Sequence, residues 1–238
     1  MTAEPAPAGA VGRASLGGAF DRPGAHRLDL RAGSVATLEG DASAAVYLSR
    51  SGWLAASKST ADGRRLILDV VLPGDMLDPA HTIGDVSQVE IEALSRAVVV
   101  RVPRAEWLRR LDERPALAAA VERARQAATA RMARRMLQLG RGSAESRLAY
   151  TLFELWLRSR TGRARGGSAM HIPMTQQQLG DFCGLSSVHV CRTMGRLVSL
   201  GAIEASGKMS ITVGDPEALA GIAEVCMDDI GHRDVMGS

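Results

Sequence analysis

The sequence predicts an α+β chain with a β-rich N-terminal domain, a long central helix and a C-terminal winged helix-turn-helix. Three observations predict it. Short apolar stretches recur between Gly/Asp turn signals over residues 26–103. From Pro115 the apolar spacing changes to three and four residues. Residues 170–213 hold two capped helical segments followed by an apolar hairpin.

Composition agrees with this. A length of 238 residues suits one large or two small domains. Hydrophobic residues at 46% and charged residues at 23% exclude wholesale disorder and a collagen-like chain. No apolar run reaches the roughly 18 residues that span a bilayer, so no membrane partner is expected. The opening residues lack the apolar stretch of a secretory signal. Three Cys are too few for a disulfide scaffold, and the expected location is the reducing cytoplasm.

Residues 1–20 are rich in Ala, Gly and Pro and are expected to form a disordered tail. Residues 21–103 form the β domain. Its strand candidates are VATL, AAVYL, WLAAS, RLILDVVL, VEIEAL and AVVVRV, which together suggest a sandwich or barrel. VEIEAL alternates as a half-buried strand should, whereas the continuous VVVRV suits full burial.

Residues 104–140 are read as a linker and a dimerisation helix. A short helical segment runs from Arg104 to Asp112. The long helix starts at Pro115, and Gly140 is expected just past its end. Val121, Ala124, Ala128, Met132, Arg135 and Leu139 trace a seam, with Met136 beside it. Such a helix packs either inside its own chain or on a copy of itself. The copy is the economical solution for a helix between two domains, so a homodimer is expected.

Residues 141–220 carry the winged helix-turn-helix, and 221–238 a tail. Ser143 caps a helix to residue 160 with Leu148, Leu152, Leu155 and Trp156 on one face. Thr175 and Gln178 form a capping box, and Leu179 and Phe182 face inward. Gly180 is small where a second helix crosses, and Gly184 suits the tight turn. Ser186 or Ser187 caps the second helix, with Val190, Met194 and Leu197 inward. Ser187, Val188, Cys191, Arg192, Thr193 and Arg196 are expected outward. His189 turns either inward or toward DNA backbone. AIEA and MSITV then flank a Ser206-Gly207-Lys208 turn, the wing.

This unit has helix-turn-helix spacing, with the second helix in the recognition position, so double-stranded DNA is the expected partner. An α-helix fits the major groove, where Arg192 can donate two hydrogen bonds to guanine. Thr175, Gln177, Ser186, Arg196 and Lys208 are candidate phosphate contacts. Val188 and Cys191 either pack on a thymine methyl or fill space. Cys191 lies near Arg192 in the first turns of the helix, a setting that favours thiolate and makes it a candidate redox switch; Cys183 is expected to be buried.

The net charge of +3 hides an uneven distribution. Residues 101–165 carry +10, and residues 21–100 and 166–238 carry −3 and −4. Part of the basic block is expected to flank bent DNA or meet RNA polymerase, the rest being solvated; neutralising Arg131, Arg134 and Arg135 with no change in the salt slope of binding would place those three in the solvated part.

The order of β domain, long helix and winged helix resembles the Crp/Fnr family of bacterial transcription regulators. The nearest match is IPMTQQQLGDFCGLSSVHVCRT, whose V-H-V-x-R-T pattern is used by one branch of the family. Gly52, the Asp62-Gly63 hairpin and LPGDMLDP add support. The resemblance implies a jelly-roll sensor domain of the cyclic-nucleotide-binding type and a homodimer on a near-palindromic site. It places base reading on Ser187, Val188, Cys191 and Arg192, with Val188 where an acidic residue is common.

Departures from the family bear on cofactors. Its cyclic-nucleotide binders use a Glu and an Arg at positions that fall here on Pro79 and near Ser87, so cyclic AMP is not expected. Its iron–sulfur members carry an N-terminal Cys cluster, whereas all Cys here lie at 183 or beyond, so no cluster is expected. Haem through His26 or His81 stays open. No cofactor is assigned, and the effector is not legible. A second function class is a ligand- or metal-dependent enzyme on the β domain. For it His26, His81, Asp75, Asp78 and Asp85 offer no recognised ligand spacing, so no metal site and no enzyme are expected.

Overall fold

The computed structural model describes residues 16–42, 44–78, 86–160, 169–206 and 210–225. The chain divides into two compact units whose boundary falls between Ala128 and Thr129, inside the long helix.

The N-terminal unit begins with helical turns over residues 16–20 (α1). Strands β1 (His26–Leu30), β2 (Val35–Thr37), β3 (Ala45–Ser51), β4 (Leu54–Ser59), β5 (Arg65–Val71), β6 (Met76–Leu77), β7 (Glu90–Ala93) and β8 (Ala97–Pro103) follow. They form two four-stranded antiparallel sheets, β1-β8-β3-β6 and β2-β7-β4-β5. Helix α2 (Arg104–Asp112) and the first half of α3 (Pro115–Arg141) complete the unit.

Strand β3 explains how sheet and helices share a core. Alternate strand residues point to opposite faces. Ala45 and Tyr47 join Leu54, Val71, Ile91, Ala93, Ala97 and Val99 between the sheets. Val46 and Leu48 face the other way and pack with Phe20, Val102, Trp107, Leu117, Ala120 and Val121. Both faces are therefore buried, and β3 reads as a near-continuous apolar run. Strand β8, whose VVVRV run suits full burial, is only partly buried: Val99 and Val102 are buried, and Val98, Val100 and Arg101 half-buried.

The tail assigned to residues 1–20 needs correction where it is described. Leu16 and Phe20 are 2% and 1% exposed. Phe20 meets Trp107 with ring centroids 4.7 Å apart. The buried Arg110 guanidinium donates to the Ala19 carbonyl at 2.6 Å and the Pro23 carbonyl at 2.7 Å. One aromatic and a few small residues seal this edge, too little apolar sequence to register in composition.

The C-terminal unit holds the rest of α3, then α4 (Ala144–Arg160), β9 (Ala169–His171), α5 (Gln176–Cys183), α6 (Ser187–Ser199), β10 (Ile203–Ser206), β11 (Ser210–Val213) and α7 (Pro216–Ile222). A three-stranded sheet runs β10-β11-β9. Helix α3 continues through Gly140 to Arg141, two residues further than expected. Ser143 accepts from the Ser146 N–H and caps α4. Asp215 caps α7 by accepting from the Ala218 N–H, and Pro216 fits its first turn. The domain thus extends beyond residue 220, into the stretch read as a tail.

The predicted seam on α3 is also corrected. Val121 lies in the N-terminal core with Ala124 packed beside it. Arg135 is buried under Glu154, and Leu139 is half-buried, its Cδ2 close over Gly184. The exposed stripe is displaced by one residue: Glu122, Gln126, Thr129, Ala133, Met136 and Gly140, flanked by Met132 and Leu137. One residue is about 100° around a helix. Periodicity found a stripe whose ends pack into the chain's own cores, while Met132 of the same stripe stays exposed beside the outward one.

Candidate nucleic-acid interface

Helices α5 and α6 and their turn form a rigid bracket. Thr175 accepts from the Gln178 N–H while the Gln178 side chain accepts from the Thr175 N–H, closing the predicted capping box. Gly184 ends α5 at φ 65°, a left-handed conformation that L side chains rarely adopt. Ser186 caps α6 by accepting from the His189 N–H and also lies 2.7 Å from His189 Nδ1. Gly180 is buried against the turn: a Cβ there would sit 2.4 Å from the Leu185 carbonyl oxygen. Gly180→Ala should therefore force the helices apart, costing about 1–3 kcal/mol in urea unfolding and weakening DNA binding in parallel.

Val190, Thr193, Met194 and Leu197 form the inward face of α6. Thr193, expected outward, is 6% exposed. Val188, His189, Cys191, Arg192 and Arg196 are exposed, and Ser187 half-exposed. Ser187, Val188, Cys191 and Arg192 line one shallow open concavity with Gln176 from α5. The predicted base-reading set is thus brought together. Gln176 was missed by sequence reasoning; its place directly after the Thr175 cap, on the helix that crosses α6, was the available signal.

Arg192 makes no ion pair among the described residues, so its guanidinium is available to a ligand. Arg196 has its Nε 3.7 Å from the Glu145 carboxylate, a weak pair with both side chains exposed. Thr175 and Ser186 are exposed but spend their hydroxyl oxygens on caps. Their helix N-termini retain N–H groups that suit an anion. Gln177 is exposed and donates to Asp181 at 2.8 Å. Lys208 lies outside the described residues.

The scaffold beneath holds a buried ionic cluster. Glu154 is 2% exposed. Its carboxylate accepts from Arg135 at 2.6 Å and Arg158 at 3.1 Å, with Arg131 Nε at 3.7 Å. Arg135 also stacks 3.8 Å over the Phe182 ring of α5. Arg135 therefore belongs to the interior and not to the solvated or DNA-flanking part of the basic block. Cys183 is buried, donates to Thr151, and has its thiol pKa pushed up to about 11 by burial.

In the β unit, Asp78 is buried and pairs with Arg104 at 2.6 Å and Arg125 at 3.3 Å. Asp75 accepts from the Leu72 N–H, and His26 is exposed on β1. His81 and Asp85 lie outside the described residues. Among the described residues no group of three or more His, Cys, Asp or Glu is placed to hold a metal. No Lys or Arg occurs between Arg65 and Arg96, and Ser87 is buried with its hydroxyl donated to the Val89 carbonyl at 2.6 Å. Among the described residues no helix is long and apolar enough to cross a membrane.

Comparison with known proteins agrees with both units. A family model described as a cyclic nucleotide-binding domain matches residues 27–114, and one described as a Crp-like helix-turn-helix domain matches 146–222. The nitrogen fixation regulation protein FixK of Azorhizobium caulinodans is 32% identical over 174 residues, covering 73% of this chain and 69% of that protein. The transcriptional activator protein FnrA of Stutzerimonas stutzeri is 29% identical over 205 residues, covering 84% and 81%. The solved structure of FixK2 from Bradyrhizobium japonicum has 25% identity and a TM-score of 0.75, covering 83% of this chain and 96% of that one. The structure of a CooA mutant from Carboxydothermus hydrogenoformans, at 13% identity and a TM-score of 0.69 over 87% of this chain and 90% of that one, shares the fold. With these matches over both units, the chain belongs to the Crp/Fnr family of sequence-specific DNA-binding transcription regulators.

Proposed function

We propose that the protein binds a near-palindromic duplex as a homodimer, with α6 of each copy in the major groove. The observation that carries this reading is the exposed concave surface of Gln176, Ser187, Val188, Cys191 and Arg192, held on a capped and close-packed helix pair. Arg192 donates to guanine O6 and N7. Gln177, Arg196, Lys208 and the N-termini at Thr175 and Ser186 hold phosphates and fix the register. Dimerisation uses the outward stripe of α3, where Met132, Met136 and Leu137 are 46%, 67% and 63% exposed. Large apolar side chains in a row on one helix are what a second copy covers.

The location is the cytoplasm, where the chromosome is in reach, and RNA polymerase is a partner through part of the basic block. The sensor unit works without the family's cyclic-nucleotide charge partner, so its effector is not a cyclic nucleotide held in that way. No enzymatic step is assigned. Selection of bound duplexes from a random pool tests the reading. The expected result is an inverted repeat bound by a dimer, with affinity falling steeply as salt rises. Binding without sequence preference, or by a monomer, overturns it.

Cys191 offers a separate probe. It is exposed and Cys183 is buried. With Cys226 replaced by Ser, N-ethylmaleimide at neutral pH should modify Cys191 first and abolish operator binding. The Cys191→Ser protein should keep binding after the same treatment. Peroxide tests the redox reading on the same pair: operator binding that survives peroxide removes it.

A further inference from the structure

The first turn of α6 carries a large apolar side chain with nothing over it. Val188 is 64% exposed and lies in the concavity with Ser187, Cys191, Arg192 and Gln176. Helix α6 contains no Asp or Glu. The nearest carboxylate on α5, Asp181, accepts from Gln177. This chemistry discriminates among bases. Cytosine offers the groove an N4 amino donor and is best met by a carboxylate, which is missing here. Adenine and guanine offer polar edges that valine cannot engage. Thymine alone presents an apolar group, its C5-methyl.

We propose that Val188 is a specificity-determining residue that seats on the C5-methyl of a thymine in the half-site. The proposal rests on α6 occupying the major groove. Val188 and Arg192 are four residues apart, about 6 Å along a helix, and base pairs rise about 3.4 Å each. A side chain one turn away reaches bases within a few base pairs, so the thymine lies in the same half-site as the guanine read by Arg192. Ser187 and Cys191, small and flanking, leave the methyl room to reach Val188. The half-site pairs one charged contact with one apolar contact. A base lacking only the methyl loses the second and keeps the first.

The test uses the full-length dimer and the duplex selected from the random pool. Each thymine of the half-site is replaced in turn by uracil, which removes the methyl and nothing else. At one position, in the same half-site as the guanine, uracil should weaken binding about four-fold per half-site, the worth of burying one methyl-sized group. In Val188→Ala, whose exposed position leaves folding intact, the same replacement should change affinity little. Val188→Glu should shift the preference there from thymine to cytosine. Wild-type binding indifferent to uracil at every thymine overturns the proposal. So does a uracil loss that persists unchanged in Val188→Ala. If a duplex is selected and Arg192→Ala still loses it, those results remove the valine contact alone. If no duplex is selected, the groove reading falls and the valine contact with it.

Discussion

Glu154→Leu is expected to destabilise the C-terminal unit by about 3–5 kcal/mol, the usual cost of stranding a buried charge. Three arginines converge on this carboxylate, and Arg135 and Arg158 are themselves buried. Leucine fills much of the volume but supplies no acceptor and no charge. The guanidiniums then lose this shared counter-charge in a low dielectric or pull water inward, and either route loosens α3, α4 and α5 together. Arg135 carries the disturbance to α5 because it also stacks on Phe182. Hydrogen exchange resolved to α4 and α5 measures it. Amides there should exchange at least about a hundred-fold faster, with the β unit unchanged. Glu154→Gln, which keeps an acceptor but not the charge, should fall between. Equal protection in wild type and Glu154→Leu would show that the cluster contributes nothing to this unit.

Arg192→Ala is expected to lose roughly five- to a hundred-fold in operator affinity per half-site, the value of one bidentate guanine contact. In a dimer both half-sites lose it. The side chain is exposed and makes no ion pair among the described residues, so truncation leaves the fold unchanged and the loss reports recognition alone. Arg192→Lys should recover little, because an ammonium cannot make the planar double contact. Arg196→Ala gives the contrast. Its loss should be similar across sequences and accompanied by a shallower salt dependence, as for a phosphate contact. Titrations on the selected duplex and on a scrambled one separate the two behaviours. An Arg192→Ala protein that still prefers the selected duplex as strongly as wild type removes Arg192 from base reading.

Most of the DNA-binding unit was legible because its determinants are local. A capping box, a left-handed glycine and a serine cap act within a few residues, and the structure holds each where the spacing puts it. What stayed hidden depends on distant partners. Strand β6 has two residues, too few to show a period, and exists because it pairs with Tyr47 and Leu48. Helix α1 depends on distant partners, among them Trp107 and Arg110, about ninety residues away. Arg135 reads as a surface charge until Glu154 comes over it. The seam on α3 shows the same limit. A repeat reveals that a helix has a packed face, but only the fold says which neighbour packs there.

The contact of Gly180 with the Leu185 carbonyl has an evolutionary corollary. It is a backbone-to-backbone contact, so the angle between α5 and α6 is set without any of the side chains proposed to meet the groove. Ser187, Val188, Cys191 and Arg192 can be exchanged one at a time while the frame that aims them stays fixed. On the reading proposed above, a gene copy carrying this bracket reaches a new operator by substitutions in its reading residues, with the bracket itself unchanged.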